Sequence, residues 1–346
     1  MAKIKLKDVA ERAGVSLTAV SFALNGKPGI SEETRKNIFR IIEETGYSSA
    51  SRDKRKNKLR NTGKNILFLN CSRTTITNDI FPQTPYFSEL LQAFEEKLSA
   101  SGYRFWIKSI RIGNNFEQDI VKMLKTSEIN GVLLVATDML EEDVKIVQRI
   151  ERNVVILDSC YDRLEANCVV MDNYLGGVLA ARHLLECGHQ RIGYIQSGVR
   201  IYNFEMRKKG FMNELSQYGM SISEDDIFEV ESSIDSSFNT LDEKIKTTKS
   251  LPTCFFAEND YMAIGMLRAL QNNNISVPND VALVGFDNID MAGIVSPGLT
   301  TINVPKNKLA EFCVTQMKYI INNEPVVGIK HFVSVNIIKR NTTKII

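Results

Sequence analysis

The sequence predicts an α/β protein: a small three-helix head followed by two lobes, each a doubly wound parallel sheet. Three observations predict it. From residue 65 onward short apolar runs alternate with amphipathic helical stretches, this alternation comes in two successive series, and the first 47 residues hold short helices with a shared apolar face. Length agrees, since 346 residues exceed one ordinary domain of roughly 100–200 residues. Hydrophobic and charged contents of 43% and 24% are those of a soluble globular chain. No apolar run approaches the ~18 residues that span a bilayer, so no membrane partner is expected. The opening MAKIKLKDVAERAG lacks the apolar core of a secretion signal. Cys71, Cys160, Cys168, Cys187, Cys254 and Cys313 form no CxxC pair and read as buried, reduced thiols of a cytoplasmic protein.

The head comes first. Residues 9–25, VAERAGVSLTAVSFALN, hold two short apolar-patterned stretches on either side of Gly-Val-Ser. Isolated helices below ~12–15 residues are marginal in water, so these two need each other and a third element. The first helix is expected over Leu6–Ala13, with Leu6, Val9, Ala10 and Ala13 on one face. Gly14 supplies a left-handed stop, and Ser16 caps the second helix. Val20 and Leu24 give that helix its inner stripe, and the small Ala10 lets the pair cross closely. Ser31 caps a third helix, Glu32 and Glu33 suit its positive end, and Gly46 stops it after Ile38, Ile41 and Ile42. The arrangement is that of a helix-turn-helix.

Charge separates the head from the body. Residues 1–64 carry a net +8 and residues 65–346 a net −6, which leaves +2 for the chain. A basic head on a mildly acidic body points to a polyanion partner for the head; the alternative is a solvated basic surface. If the second helix reads DNA, its outward residues are Leu17, Thr18, Ser21, Phe22 and Asn25. Leu17 and Phe22 cannot hydrogen-bond a guanine but can pack on thymine methyl groups; otherwise they are stray surface apolars.

LKDVAERAGVSLTAVSFALNGKPGISEETRKNIFRIIEETGY resembles the head of the lac repressor family of transcription factors. The resemblance implies phosphate contacts at Ser16, Ser21, Asn25, Ser31, Thr34 and Tyr47, and base reading at Leu17, Thr18 and Phe22. Two positions depart from the family pattern. Lys5 stands where a Thr cap is common, and Phe22 where Arg, His or Leu is usual, so no relative's operator sequence transfers.

A linker follows. Residues 48–64, SSASRDKRKNKLRNTGK, carry six basic residues between 52 and 60. The matching family segment forms a short helix on DNA and wedges a Leu into the minor groove. Here the usual Pro-Asn start is missing and Lys56 occupies the Leu position. Leu59 is the remaining wedge candidate, against a basic arm that grips phosphates without intercalating.

In the body the first series of strands reads NILFLN, YRFWIKS, GVLLVA and NVVILDS, and the second CVVMD, RIGYIQ, TCFFA and VALVGFD. Helical stretches such as 87–101 and 173–187 separate them, which predicts parallel sheets with right-handed crossovers. Ligands of such sheets bind beyond the strands' carboxyl ends, here a cleft between lobes. Asp158, Asn259, Asp260, Asp287 and Asn288 follow strands, and Arg207 opens RKKGF. An Arg, an Asn and two acids around a cleft suit bidentate bonds to neighbouring sugar hydroxyls. Asp260 reads better as the cap of the following helix.

The family resemblance extends over this half through VVMDNYLGGVLAARHLLECGHQRIGYI, RKKGFMNEL, AENDYMAIGMLRAL, VALVGFDNIDMAGIVSPGLTTI and IIKRNTT. It implies the two-lobed fold of periplasmic sugar-binding proteins, with effector contacts at Asp158, Arg207, Asn259 and Asp287. Tyr86 and Phe87 match its first-lobe aromatic pair, and Phe87 reads equally as a plain core helix start. The expected layout is a head over 1–47, a hinge over 48–64 and an effector-binding and dimerisation domain over 65–346. Within that domain lobe one takes about 65–165 and 295–330, and lobe two about 166–294 and 331–346. The loop NCSRTTITNDIFPQT is longer than usual and reshapes the cleft mouth. Ser232 stands where a stacking Trp or Phe is frequent.

Other chemistries find little support. His183, Cys187 and His189 have metal-like spacing but match the family's helix and turn packing positions, so no metal is expected. Three histidines without a nucleophile–base cluster give hydrolysis no candidates. The glycine pair at 176–177 forms no nucleotide fingerprint, and neither a cofactor nor an enzyme is expected. The expectation is a homodimeric repressor of carbohydrate-utilisation genes that binds a near-palindromic double-stranded DNA operator and is set by a sugar or sugar phosphate between its lobes. No leucine heptads follow the last strand, which favours a dimer over a tetramer. Two readings stay open beside it: control by a phosphorylated protein corepressor, and a sugar sensor with no DNA role.

Overall fold

A computed structural model of the protein describes residues 6–24, 29–45, 64–74, 84–126, 128–322 and 328–346. Asn25, Tyr47, Leu59, residues 48–63 of the expected hinge and residues 75–83 of the lengthened loop lie outside them. The chain divides into two compact units, Met1–Lys64 and Asn65–Ile346.

In the first unit, α1 (Leu6–Ala13) ends in a Schellman turn, with Gly14 at φ +65° and the Val15 N–H donating to the Ala10 carbonyl at 3.1 Å. Asn37 Nδ2 covers the Ala13 carbonyl at 3.3 Å. Two serines cap the other helices. Ser16 Oγ accepts from the Ala19 N–H at the head of α2 (Leu17–Leu24), and Ser31 Oγ from the Thr34 N–H at the head of α3 (Glu32–Thr45), each at 3.1 Å. Val9, Ala10, Ala13, Val20, Ala23, Ile38 and Ile41 form one core. Three short helices thus share an apolar centre that no two could enclose.

The second unit contains two six-stranded sheets, built from β1 (Lys64–Ser72), β2 (Tyr103–Arg111), β3 (Gly131–Val135), β4 (Val154–Leu157), β5 (Cys168–Met171), β6 (Ile192–Ser197), β7 (Ile227–Val230), β8 (Cys254–Ala257), β9 (Ala282–Asp287), β10 (Thr300–Asn303), β11 (Lys330–Val333) and β12 (Asn336–Ile338). The first runs β11-β5-β4-β3-β1-β2 and the second β12-β10-β9-β8-β6-β7. The five-strand order 2-1-3-4-5 therefore occurs twice. Strands β3, β4 and β5 are buried along their whole length, as unbroken Val/Ile/Leu runs require when both faces are covered. Helices α4 (Pro85–Ala100), α5 (Phe116–Thr126), α6 (Glu141–Ile150) and α12 (Lys306–Ile321) accompany the first sheet. The second has α7 (Asn173–Glu186), α8 (Tyr202–Gln217), α9 (Ile234–Thr247), α10 (Asp260–Asn272) and the short α11 (Asp290–Ile294).

The lobe limits differ from the expected ones. Strand β5, which the apolar pattern places in lobe two, pairs in parallel with β4 and β11 of lobe one. Strand β10, which the apolar pattern places in lobe one, pairs with β9 and, antiparallel, with β12 of lobe two. The β11 segment at 330–333 adds to lobe one rather than opening lobe two's final stretch. The chain thus crosses between lobes after β5, after β10 and between β11 and β12. Apolar runs alone do not show this, because a fully buried strand carries no mark of which sheet it joins.

Candidate functional site

Strands β4 and β9 hold the same place in their respective sheets, and each ends in an aspartate with positive φ. Asp158 has φ 65° and Asp287 φ 113°. Backbone of this kind costs of order 1–3 kcal/mol per non-glycine residue and persists where its surroundings fix it. Asp158 Oδ2 accepts from Thr137 Oγ1 at 2.6 Å, and its Oδ1 from Asn203 Nδ2 at 2.9 Å. Asp287 Oδ1 accepts from Arg207 at 3.4 Å, and its carbonyl from Lys306 Nζ at 3.1 Å. Burial raises both carboxyl groups to about 6, even though Arg207 pulls each back.

Arg207 lies between the two acids and is only 3% exposed. Its Nε donates to Asn173 Oδ1 at 2.9 Å and one terminal nitrogen donates to the Glu258 carbonyl. The guanidinium lies over the Phe286 ring, 3.6 Å from its centroid. Helix α8 carries this arginine close to α7 because both helices present glycines at the contact. A Cβ on Gly177 would fall 2.1 Å from the Arg207 carbonyl oxygen, and one on Gly210 2.0 Å from that of Tyr174. The glycine pair at 176–177 is thus a packing device, with Gly176 against the Phe286 ring.

Asn259 caps α10, its Oδ1 accepting from the Met262 N–H at 2.8 Å, so its Nδ2 is what it can offer the cleft. That corrects the reading of Asp260 as the cap. Asp260 stands one residue further, completely buried, and its carboxylate accepts from Thr301 Oγ1 at 2.6 Å and the Ile289 N–H at 3.0 Å. It cannot cap because the asparagine before it already occupies the non-helical position. Burial, reinforced by Asp287, lifts its pKa to about 8.

Tyr86 and Phe87 open α4 from lobe one, edge to face with centroids 5.3 Å apart. The Tyr86 N–H donates to the Tyr261 hydroxyl at 3.2 Å, while the Tyr86 hydroxyl is buried without a partner among the described residues. Asp158, Arg207, Asn259, Asp287, Tyr86 and Phe87 all line one cavity. Sequence reasoning missed Thr137, Asn203, Phe204 and Tyr261, which line it too. Asn203 was within reach, since it precedes Arg207 by one helical turn and shares its face. Ser232 lines the same cavity and donates to Ser197 Oγ at 3.0 Å.

The free space there is about 70 Å³. Small-molecule sites typically hold ~300–1,000 Å³, so this is a closed cleft. Its closure is held by Asn203–Asp158, by Tyr86–Tyr261 and by the Asp290 N–H, which donates to Glu89 Oε1 at 3.3 Å. A larger groove of about 710 Å³ beside Trp106 on lobe one contains neither of the strand-end aspartates.

In the head, Leu17 is 48% exposed and Thr18 is exposed, both in the first turn of α2, while Ser21 and Phe22 are half-buried. The Phe22 ring rests against Gly29, where a Cβ would fall 3.0 Å from Cε2. Ser16 and Ser31 hold helix caps, and the Thr34 hydroxyl lies 2.8 Å from that of Ser31. Elsewhere, His183 Nε2 lies 2.9 Å from Thr343 Oγ1 and His189 Nδ1 2.9 Å from Thr253 Oγ1. Among the described residues no group of three or more His, Cys, Asp or Glu is placed to hold a metal. No described helix is long and apolar enough to cross a membrane.

A helix-turn-helix unit joined in one chain to a two-lobed unit with a polar interlobe cleft defines a DNA-binding regulator with an effector domain. Comparisons with known proteins agree. Residues 5–49 match the family of bacterial regulatory proteins called the lacI family, and residues 181–343 match the periplasmic binding protein-like domain. The ribose operon repressor of Haemophilus influenzae is 30% identical over 320 residues, 92% of each chain. The transcriptional repressor PurR of Erwinia tasmaniensis is 30% identical over 309 residues, 88% of this chain and 87% of the relative. Among solved structures, the regulator CelR in its cellobiose complex superposes with a TM-score of 0.72 at 22% identity, covering 98% of this chain and 99% of that one. The lac repressor dimer bound to operator and the anti-inducer ONPF gives 0.70 at 21%, covering 99% and 100%. The chain belongs to the lacI family. It is a DNA-binding transcriptional repressor with an effector-binding domain, and not an enzyme.

Proposed function

We propose that this repressor acts as a cytoplasmic homodimer on a near-palindromic operator and is controlled by a small polyhydroxylic effector, a sugar, held between the lobes. The observation that carries the reading is the arrangement of two buried, backbone-strained aspartates around Arg207, with the buried Tyr86 hydroxyl lacking a partner among the described residues. Such a set presents acceptors and donors on several sides, which suits neighbouring hydroxyl groups. Asp158, Arg207, Asn259 and Asp287 contact the effector on this reading, with Tyr86 and Phe87 shaping lobe one's wall. Leu17, Thr18 and Phe22 face bases, and Ser16, Ser21, Asn25, Ser31, Thr34 and Tyr47 face phosphates, with Leu59 as the minor-groove wedge. Effector binding stabilises one lobe arrangement over another, and DNA affinity follows that equilibrium. The ribose operon repressor among the relatives supports a sugar and carbohydrate-use genes.

A purine is the second reading, favoured by the PurR relatives and by the rings of Tyr86, Phe87, Phe204 and Tyr261 along the cavity. Thermal-shift screening of sugars, sugar phosphates and purine bases separates the two. A rise of several degrees with a sugar, lost in Arg207→Ala and Asp287→Ala, supports the first reading; the same behaviour with a purine alone replaces it. Operator affinity measured by gel shift is expected to fall ~1,000-fold or more between ~50 and ~200 mM salt, as phosphate neutralisation demands. A flat salt response would remove the assigned phosphate contacts.

A further inference from the structure

A groove of about 520 Å³ adjoins the effector cavity, and Thr137 and Ile201 line both. Three loops form it, each at the carboxyl end of a strand. Lobe one gives the loops after β3 and β4, and lobe two the loop from β6 into α8. Open parallel sheets bind ligands beyond those strand ends. The groove has the ~300–1,000 Å³ of an ordinary small-molecule site, which the closed cavity of about 70 Å³ lacks. Asp158, Arg207 and Asp287 all lie outside its lining.

One buried acid ties the groove to the cavity. Glu258 is fully buried; its Oε2 accepts from Arg200 Nη1 at 2.8 Å, and its carbonyl accepts from Arg207. Arg207 lines the cavity and Arg200 the groove. Both guanidinium groups also lie near the Phe204 ring, 5.9 Å from its centroid for Arg200 and 5.5 Å for Arg207. A single frame thus sets the spacing between donors that belong to two adjoining spaces. Arg200 Nε donates to Glu205 Oε1 at 2.7 Å, and its Nη2 is a buried donor without a partner among the described residues. Buried donors are rarely left unpaired, and an acceptor bound against Arg200 would pair this one.

Charge selects the occupant. Asp138, Glu141, Asp162 and Glu205 stand in the lining against two guanidinium groups, those of Arg163 and Arg200. Glu258 and Glu205 both oppose the charge of Arg200. A phosphate or carboxylate would therefore enter against a net negative field. A neutral polyol meets no such barrier, because carboxylate oxygens accept from its hydroxyls while Arg200 donates to them. Leu140, which is 52% exposed, and the rings of Tyr161 and Tyr202 offer apolar surface to the C–H face of a sugar. The Tyr161 ring is fixed by its hydroxyl, which donates to the Met139 carbonyl at 2.9 Å.

We propose that this groove is a second sugar subsite, so that the effector is a neutral oligosaccharide of at least two units. One ring occupies the cavity and the next occupies the groove. The inference rests on the sugar effector proposed for the cleft and narrows it, setting sugar phosphates aside. Since the groove takes its walls from both lobes, the outer ring helps to hold the lobes together.

Titration calorimetry on the full-length protein tests it. Glucose, galactose, xylose and ribose are set against maltose, cellobiose, lactose and xylobiose, with glucose 6-phosphate as the anionic probe. One disaccharide is expected to bind ~10-fold or more tightly than either of its component sugars. Asp162→Ala combined with Glu205→Ala, both exposed side chains, should remove most of that advantage. Leu140→Ala should lower it by a second route that disturbs no ion pair. Asp287→Ala should instead weaken the disaccharide and its component sugar alike. A monosaccharide that binds as tightly as every disaccharide containing it, or an advantage untouched by the groove variants, overturns the second subsite while the cleft reading stands. Tighter binding of glucose 6-phosphate than of any neutral sugar overturns it as well. Binding of no sugar of either length would remove the sugar effector itself, and the subsite with it.

Discussion

Asn203 of lobe two donates from one amide nitrogen to both the carbonyl and the carboxylate of Asp158 of lobe one, at 3.0 and 2.9 Å. Its own Oδ1 accepts from Asn173 Nδ2 at 2.8 Å, and Asn173 in turn accepts from Arg207. One side chain thus ties the strained backbone at Asp158 to the arginine at the centre of the cleft. Asn203→Ala removes a buried bond and leaves a carboxylate oxygen with one partner fewer. Urea unfolding should show a loss of ~1–3 kcal/mol. The pKa of Asp158 should rise further, because Asn203 is one of the groups that hold it down.

Effector affinity should depend on pH. Asp158 and Asp287 titrate at about 6, so both are ionised acceptors near pH 7.5 and largely neutral by pH 5. A ligand bound through hydroxyl donors should weaken as pH falls across that range. Titration calorimetry with the ligand found by thermal shift checks it, and affinity independent of pH would mean that these two carboxylates are not its acceptors.

Asp260 gives a stability signature of its own. Its ordinary value is 3.8 and the folded value about 8, so the native state holds a proton that the unfolded chain has released. Its contribution is complete below about pH 4 and is lost as pH rises through about 8. In the upper part of that window the unfolding free energy should therefore decline with pH, by up to ~1.4 kcal/mol per unit from this group. Asp260→Asn cannot titrate. Whatever constant cost its amide imposes at the Ile289 N–H, the difference in slope between the two proteins from pH 6.5 to 9 reports the carboxyl group.

Gly177→Ala should be disproportionately damaging for one methyl group. Its Cβ would meet backbone atoms of Arg207 and Phe211, which no side-chain rotation can move aside. Helix α8 would have to shift, carrying Asn203 and Arg207 with it. Overpacking typically costs ~1–3 kcal/mol, and a backbone clash belongs at the upper end. Chemical unfolding measures that loss. The thermal shift caused by the effector should fall as well, whereas Gly113→Ala, with open space around its Cβ, should spare it.

Much of the fold is legible in the chain because parallel strands buried on both faces spell themselves as unbroken apolar runs, as GVLLV and VVIL do. The head is legible for a different reason. Its two turns need a left-handed glycine at 14 and hydroxyl caps at 16 and 31, and each residue type has a local physical cause. Sheet membership of β5 and β10 is not legible, since a fully buried run spells the same whichever sheet it joins, and β5 takes Lys330 of the distant β11 as a partner of Cys168 while β10 takes β9 and β12. In the cleft, Asp158 and Asp287 announce themselves as polar residues that end apolar strands. Thr137, Asn203 and Tyr261 do not, because a short polar side chain beside a helix start has the same spelling whether it faces a ligand or a neighbouring amide. Asn259 and Asp260 are ambiguous for the same reason: two consecutive polar residues compete for one cap, and only the backbone decides between them.

The three interlobe crossings have a bearing on synthesis. Lobe one lacks an edge strand until residue 333 has been made, and lobe two lacks one until residue 338. The head is a continuous stretch at the front of the chain. Domains fold largely in order as they leave the ribosome, so the part that grips operator DNA matures first and the sensor matures last. A nascent or prematurely terminated chain would therefore carry a reader with no receiver behind it, and C-terminal truncation by even a dozen residues should abolish effector response while leaving the head intact.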